Sequence, residues 1–304
     1  MREIVRKTLL LLGVVASTLA LSACGTTTKA TIDQSVASLG SQSDLQIHLT
    51  GTVTGTDAVQ ALPVLKLVSI NLDYANPSGG PLSQAGGTLA EDITVNVGTK
   101  TLAEIRSVDG NGYLNVDLTS LSSLPGVNLP ASQLAALQLV IGGRWFEIPK
   151  SLIDSLAQKD ATANKAQAAA DVALERQIID AISKVIDNAP AKALSGGGYS
   201  ETGSLASIVK AVWPTIASVT KTTLPASAAA VKGTYTLTLT NSGSTATGAS
   251  ITINSPGGEP QITSIGLVAG ITHNSETITA PSDATVITPA LLKELESSGA
   301  TGTL

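Results

Sequence analysis

Apolar and polar residues alternate with a period of two at both ends of this chain, and no other feature constrains its fold as strongly. Leu45, Ile47 and Leu49 interleave with Gln46, His48 and Thr50. The same pattern returns in Val68, Ile70, Leu72 and Tyr74, in Ile93, Val95 and Val97, and in Leu114, Val116 and Leu118. Far downstream, Tyr235, Leu237 and Leu239 alternate with a threonine row, and Ile251 and Ile253 repeat the motif. Such alternation predicts half-buried strands of an antiparallel sheet with one apolar face. Asp109-Gly110-Asn111-Gly112 marks a hairpin, because both dipeptides tolerate positive φ. "GRWFEIP" predicts a further short strand that closes this first half.

Between the two strand regions the period becomes helical. Leu152, Ile153 and Leu156 precede an alanine-rich run in which Val172, Leu174, Ile178, Ile182 and Val185 form an apolar stripe. "SGGGYSETGS", residues 195–204, predicts a flexible loop, followed by a helix over 205–220 interrupted or kinked near Trp213-Pro214. Ile32, Val36 and Leu39 predict an initial helix, and "ETITAPSDATVITPALLKEL" a last strand, a proline corner and a short helix. The order helix, strands, helices, strands predicts an α+β fold, one antiparallel sheet with helices across one face.

Hydrophobic residues make up 43% of the chain but aromatics only 2%, so Ala, Leu, Val and Ile carry nearly all the burial. A pocket in such a body has aliphatic walls and suits an apolar ligand, or none. No cysteine follows Cys24, which excludes structural disulfides and thiolate metal sites downstream of it. No strong linker separates the halves, and a single domain over 31–304 with a helical insertion at about 150–222 is expected.

The N-terminus has the layout of an export signal: basic Arg2, Arg6 and Lys7, a mostly apolar run from Leu9 to Leu21, then small residues. Its apolar core is shorter than the roughly 20 residues a membrane span needs. Leu21-Ser22-Ala23-Cys24 resembles the bacterial lipobox. That resemblance implies cleavage after a signal peptide of residues 1–23, acylation of Cys24 and a tether over 24–30 leading to the folded body. Two or three acyl chains anchor stably, since each buried methylene adds about 0.8 kcal/mol. Loss of residues 1–23 removes three bases and Glu3 and moves the formal charge from −5 to −7. A body so acidic has no electrostatic basis for binding nucleic acid.

Candidate chemistry is sparse. Ser207-Ile208-Val209-Lys210 and Ser218-Val219-Thr220-Lys221 match S-x-x-K, but Lys221-Thr222-Thr223 departs from the K-T-G that such enzymes need downstream. Gly198-Tyr199-Ser200-Glu201-Thr202 misses the nucleophile elbow at its last position. His48 and His273, the two histidines, stand apart from acidic clusters, and Asp109, Asp117, Glu201 and Glu259 are scattered. Neither an enzyme, a metal nor a cofactor is expected. Trp145-Phe146 reads as a core plug or as a lipid-contacting edge.

The lipobox, "GNGYLNVDL", "GRWFEIP", the inserted helices, "GTYTLTLT" and the corner Ile278, Pro281, Asp283, Ala284 together resemble the LppX/LprG-like actinobacterial lipoproteins and, more distantly, the LolA/LolB carriers. The resemblance implies a curved antiparallel half-barrel with helices packed across its concave face and an apolar cavity for a lipid or glycolipid. It further implies an exported protein, lipid-anchored to the outer face of the cell membrane or envelope through Cys24, that binds or shuttles an amphiphile. Two features depart from the pattern, the long alanine-rich insertion and the low aromatic content. Ile70, Leu72, Val95, Val97, Leu237, Leu239, Ile251 and Ile253 are the expected lining, chosen because their strands alternate cleanly. The alternative is a surface interaction or structural lipoprotein with a closed core.

Overall fold

The computed structural model describes residues 34–35, 37–55, 66–122, 124, 134, 138, 142–155, 165–225, 231–254, 262–273 and 277–291. The expected signal segment, Cys24 and the expected tether lie outside the described residues, as do Ile32, Val36, Leu156 and Glu259.

The alternating segments become strands β1 (Asp44–Gly55), β2 (Val68–Ala75), β3 (Ala90–Val97), β4 (Lys100–Val108), β5 (Asn111–Val116) and β6 (Phe146–Ile148). The second set is β7 (Ala191–Ala193), β8 (Gly198–Ser204), β9 (Thr234–Ser242), β10 (Thr245–Asn254), β11 (Ile262–Thr272) and β12 (Thr285–Val286). Helices α1 (Leu118–Ser122), α2 (Lys165–Asp187) and α3 (Leu205–Thr220) fall between strands in the chain. All twelve strands join one sheet in the order β12-β6-β5-β4-β3-β2-β1-β11-β10-β9-β8-β7. Every pairing between these strands is antiparallel except the two-residue β12 against β6, and the sheet does not close into a barrel. β1 stands between two wings, the N-terminal β2–β6 and the C-terminal β7–β11.

Local chemistry explains the tight connections. Asp109 (φ 52°) and Gly110 (φ 80°) form the two-residue turn between β4 and β5, both central residues being left-handed, as a hairpin matched to strand twist requires. Asn111 and Gly112, grouped with the turn by sequence, already belong to β5.

The glycine-rich stretch at 195–204 corrects the expected loop: from Gly198 it is strand β8, hydrogen-bonded to β9 on one side and β7 on the other. Its glycines serve close packing. A Cβ on Gly198 would stand 2.0 Å from the Leu239 carbonyl oxygen, and one on Gly203 would stand 2.3 Å from the Tyr235 hydroxyl. The Tyr235 ring therefore lies directly on the Gly203 backbone, its cross-strand partner.

α3 begins where expected, with Ser204 Oγ accepting from the Ala206 N–H at 3.2 Å. It ends at Lys221 in the left-handed conformation. The predicted interruption does not occur: the helix runs through Pro214, which forgoes one backbone hydrogen bond. α2 and α3 pack mainly on each other and meet the sheet chiefly at β8. These two helices thus lie at the β8 end of the sheet, while α1 packs on β4.

The core lies on the aliphatic face around β1. Leu45, Leu49, Leu72, Leu239, Ala246, Ala249, Ala269 and Ile271 form one buried cluster, with Leu39 and Leu82 packed against it. Buried Asn241 Nδ2 donates to buried Ser35 Oγ at 2.6 Å, joining the initial helical stretch to the end of β9.

Candidate functional site

Directly paired residues share a face of a sheet and sequence neighbours take opposite faces, so the register assigns every strand residue to a side. Ile70 pairs with Val95, Leu72 with Ile93, and Val68 with Val97. Ile47 pairs with both Leu72 and Ile271, while Leu49 pairs with Ile70 and Ala269. In the other wing Leu267 pairs with Ile251, Ile251 with Leu237, and Ala249 with Leu239. All eight residues proposed as lining thus occupy one face, continuous through β1. Leu72 and Leu239 are buried in the core cluster, and Ile70, Val95, Val97, Leu237 and Ile251 are half-buried. Ile253 is 37% exposed, and Ile105 of β4, which pairs with Ile93 and Leu114 on the same face, is 40% exposed. The face is therefore sealed around β1 and exposed locally at Ile105 and Ile253, while Phe146 of β6 and Tyr235 of β9, on the same face, are buried again.

Polar groups interrupt this face at two places. Tyr74 pairs with Glu91, and burial raises the pKa of both groups, with the Glu91 charge adding to the rise at Tyr74. Glu201 of β8 is 8% exposed and pairs with Leu237.

The opposite face carries a feature that sequence reading missed. Gln46, Asp73, Asp92, Arg106 and Tyr113 form one cross-strand row. Gln46 Nε2 donates to Asp73 Oδ1 at 2.7 Å, and Arg106 Nε meets Asp92 Oδ2 at 2.9 Å. Arg106 also donates to Glu104, donates from Nη1 to the Thr279 carbonyl at 3.1 Å, and sets its guanidinium 4.9 Å from the centre of the Trp145 ring. Burial, then the nearby Glu104 carboxylate, pushes Asp92 up to about 6 against the pull of Arg106. No local spacing signals this cluster, because Asp92 and Glu104 are twelve positions apart and only the β3–β4 register unites them. Trp145-Phe146 divides accordingly: Phe146 is buried in β6, while half-buried Trp145 stacks on Arg106. With the Thr285 N–H donating to the Trp145 carbonyl at 2.8 Å, this cluster ties the C-terminal segment to the sheet.

The remaining motif residues find structural roles. Ser207 and Lys210 lie on α3, and Lys221 Nζ donates to the Ser218 carbonyl at 2.6 Å near the helix C-terminus. His48 hydrogen-bonds Asn71, and His273 Nδ1 lies 3.2 Å from the Asp44 carbonyl. Asp117 caps α1, accepting from the Thr119 N–H at 2.9 Å and the Ser120 hydroxyl at 2.6 Å, bonds that hold its carboxyl below the usual range. Among the described residues, no group of three His, Cys, Asp or Glu side chains stands close enough to hold a metal ion. Among them, too, no helix is long and apolar enough to cross a membrane.

A groove of about 710 Å³ opens between α2, α3 and the end of β8. Gln177, Asp180 and Lys184 face it from α2, Ser207 and Thr215 from α3, and Gly203 and Tyr235 from the sheet. None of the eight proposed lining residues touches it.

No protein-family model matches this chain, and no curated protein matches it in sequence. Among solved structures it is similar to the crystal structure of the Mycobacterium tuberculosis lipoprotein LppX, at 14% identity and a TM-score of 0.33, over 82% of this chain and 97% of that one.

Proposed function

We propose that this chain is an exported envelope lipoprotein, anchored through acyl chains on Cys24, that binds or shuttles a lipid or other amphiphile against the aliphatic face of its sheet. One observation supports this reading: both wings contribute aliphatic rows to the same face, and each wing leaves an aliphatic side chain of that face more than a third exposed, Ile105 in one and Ile253 in the other. An acyl chain laid there leaves water at about 0.8 kcal/mol per methylene buried, with no bond made or broken. The polar head group stays at the rim. No reaction is assigned to the protein, and no cofactor is invoked.

The test is to purify the full chain from its native envelope, extract it with organic solvent and analyse the extract by mass spectrometry. About one lipid per chain is expected. Lipid-free protein would favour an interaction or structural lipoprotein with a closed core. Anchoring is tested separately by Cys24→Ala, which should move the protein out of the membrane fraction and block processing at that bond. A variant that stays as firmly membrane-bound would sink the lipobox reading.

A further inference from the structure

Strand β8 has two edges, and one of them runs out of partners. Toward β9 its register extends from Gly198 to Ser204, and the Leu205 N–H continues that side by donating to the Gly233 carbonyl at 3.2 Å. Toward β7 the pairing covers Tyr199 to Glu201 alone. The Leu194 N–H donates to the Gly198 carbonyl at 3.0 Å, so Gly198, Ser200, Thr202 and Ser204 are the residues whose backbone groups point to the β7 side. The next step of that register sets Pro190 opposite Thr202, and proline has no N–H to donate. Among the described residues, no backbone group outside the strand ladders meets the Thr202 carbonyl or the Ser204 N–H. Both residues are exposed, and with Gly203 they border the groove between α2 and α3. An unpaired stretch of edge is a template for another extended chain.

The groove has the dimensions and charges for such a chain. Ser207, Ala211 and Thr215 line it at one residue per turn of α3, and their small side chains leave room beside the helix. From Ser204 to Thr215 the wall is about 16 Å long at a rise of 1.5 Å per residue. About five residues of extended chain span that length. The volume of about 710 Å³ falls within the range of ligand sites. On α2, Asp180 and Lys184 face the groove, both exposed, and neither forms an ion pair with a described residue. Side chains four positions apart on a helix stand about 5–6 Å from one another. Residues i and i+2 of an extended chain share a side at about 6.6 Å, so one base and one acid separated by a single residue match the pair. An acyl chain supplies neither backbone hydrogen bonds nor charges.

We propose that this groove takes an extended peptide, which adds to the edge of β8 at Thr202 and Ser204 and sets a basic and an acidic side chain, one residue apart, against Asp180 and Lys184. In antiparallel addition a peptide N–H donates to the Thr202 carbonyl, and the peptide carbonyl two residues earlier accepts from the Ser204 N–H. No covalent bond is made or broken. The site is independent of the amphiphile proposed for the aliphatic face, because none of the residues assigned to that lining borders the groove.

The test uses the full chain, isotope-labelled and held in a non-ionic detergent, and follows backbone amide shifts during titration with three capped peptides. These are acetyl-Ser-Lys-Thr-Glu-Ser-amide, acetyl-Ser-Glu-Thr-Lys-Ser-amide and the uncharged acetyl-Ser-Ser-Thr-Ser-Ser-amide. One charged order is expected to bind about fivefold more tightly than the other two peptides, as two exposed ion pairs allow, with shifts at Thr202 to Ser204. Asp180→Lys combined with Lys184→Asp, both at exposed positions, should reverse the preferred order. N-methylation of the peptide amide that meets the Thr202 carbonyl should weaken binding about tenfold, and a methyl scan along the peptide locates it. Ser207→Leu, exposed on the α3 wall, fills the groove and should weaken binding by a similar factor while leaving solvent-extractable lipid unchanged. Equal or absent binding of the three peptides, a preference that the charge exchange does not reverse, or methylation harmless at every position would overturn the peptide site. Lost lipid with unchanged peptide affinity in Ser207→Leu would overturn it too and assign the groove to the amphiphile.

Discussion

The two wings of the sheet present aliphatic rows to the same side but secure them by different means. In the N-terminal wing the opposite face is charged, and the Asp92, Glu104, Arg106 and Trp145 cluster ties strands β3, β4 and the C-terminal segment together. In the C-terminal wing that face is a hydroxyl surface of Thr236, Thr238 and Thr240 beside Ser250 and Thr252, and rigidity comes from backbone approach at Gly198 and Gly203. Charge coupling tolerates small displacements and responds to pH. Steric contact responds to neither salt nor pH and fails abruptly when a methyl group is added. The C-terminal wing should therefore be the less tolerant of substitution and the N-terminal wing the more sensitive to conditions.

The sharpest way to break this contrast is Gly198→Ala. The new Cβ would collide with the Leu239 carbonyl at a φ of 104° that L-residues avoid. A loss of about 4 kcal/mol is expected from combined overpacking and backbone strain, read from urea denaturation. Gly243→Ala, at φ 63° with open space around it, isolates the backbone contribution and should lose about 1 kcal/mol. Equal losses at the two sites would remove steric approach as the explanation.

Leu72→Ala and Leu239→Ala ask whether the wings share one core. Both side chains are buried in the cluster around β1, and each truncation should cost about 3 kcal/mol in the same cooperative transition. Two separate transitions, each sensitive to one variant, would show that the wings unfold independently.

Asp92→Asn probes the charged wing. Its folded-state value of about 6 lies above the ordinary carboxylate range, so the folded chain holds this proton more tightly than the unfolded chain does. Stability contributed by the neutral form is present at low pH and is lost as pH rises through about 6. The neutral asparagine should therefore stabilise the protein by about 1–2 kcal/mol at pH 7.5, the gain fading toward pH 4. Thermal midpoints across that range measure it. Destabilisation at pH 7.5 would mean that the Arg106 pair outweighs burial.

The smallest expected effect is at the α1 cap. Asp117→Ala removes the acceptor for the Thr119 and Ser120 N–H groups and should cost about 1 kcal/mol at pH 7. Because hydrogen bonds hold the folded carboxyl below its unfolded value, that contribution is lost as pH falls, opposite in sign to Asp92. The two substitutions thus sharpen one another as pH controls.

Much of the sheet was legible in the residue order, because a half-buried strand must alternate. The rows at Ile70 and Leu72, at Val95 and Val97, at Leu237 and Leu239, and at Ile251 and Ile253 all fall on one face. The Asp109-Gly110 turn and the bounds of α3 were equally legible, because positive φ and capping are decided within a few residues. Strand β8 was not, since glycine in sequence signals freedom, whereas Gly198 and Gly203 are glycine because a neighbouring strand leaves no room for a side chain. Neither was the Arg106 cluster, whose members depend on register, nor the groove, whose walls belong to two helices and a strand end.

By itself, the sequence determined that the chain carries a single thiol, Cys24, and that its strands have an aliphatic side. Both properties rest on local periodicity and residue chemistry. Tertiary structure alone decided that the two sets of strands flank β1 in a single sheet, that their aliphatic rows merge into one face, and that Tyr235 is left with an unpartnered hydroxyl above Gly203. These depend on which distant residues meet, and pairing register sets that rather than composition.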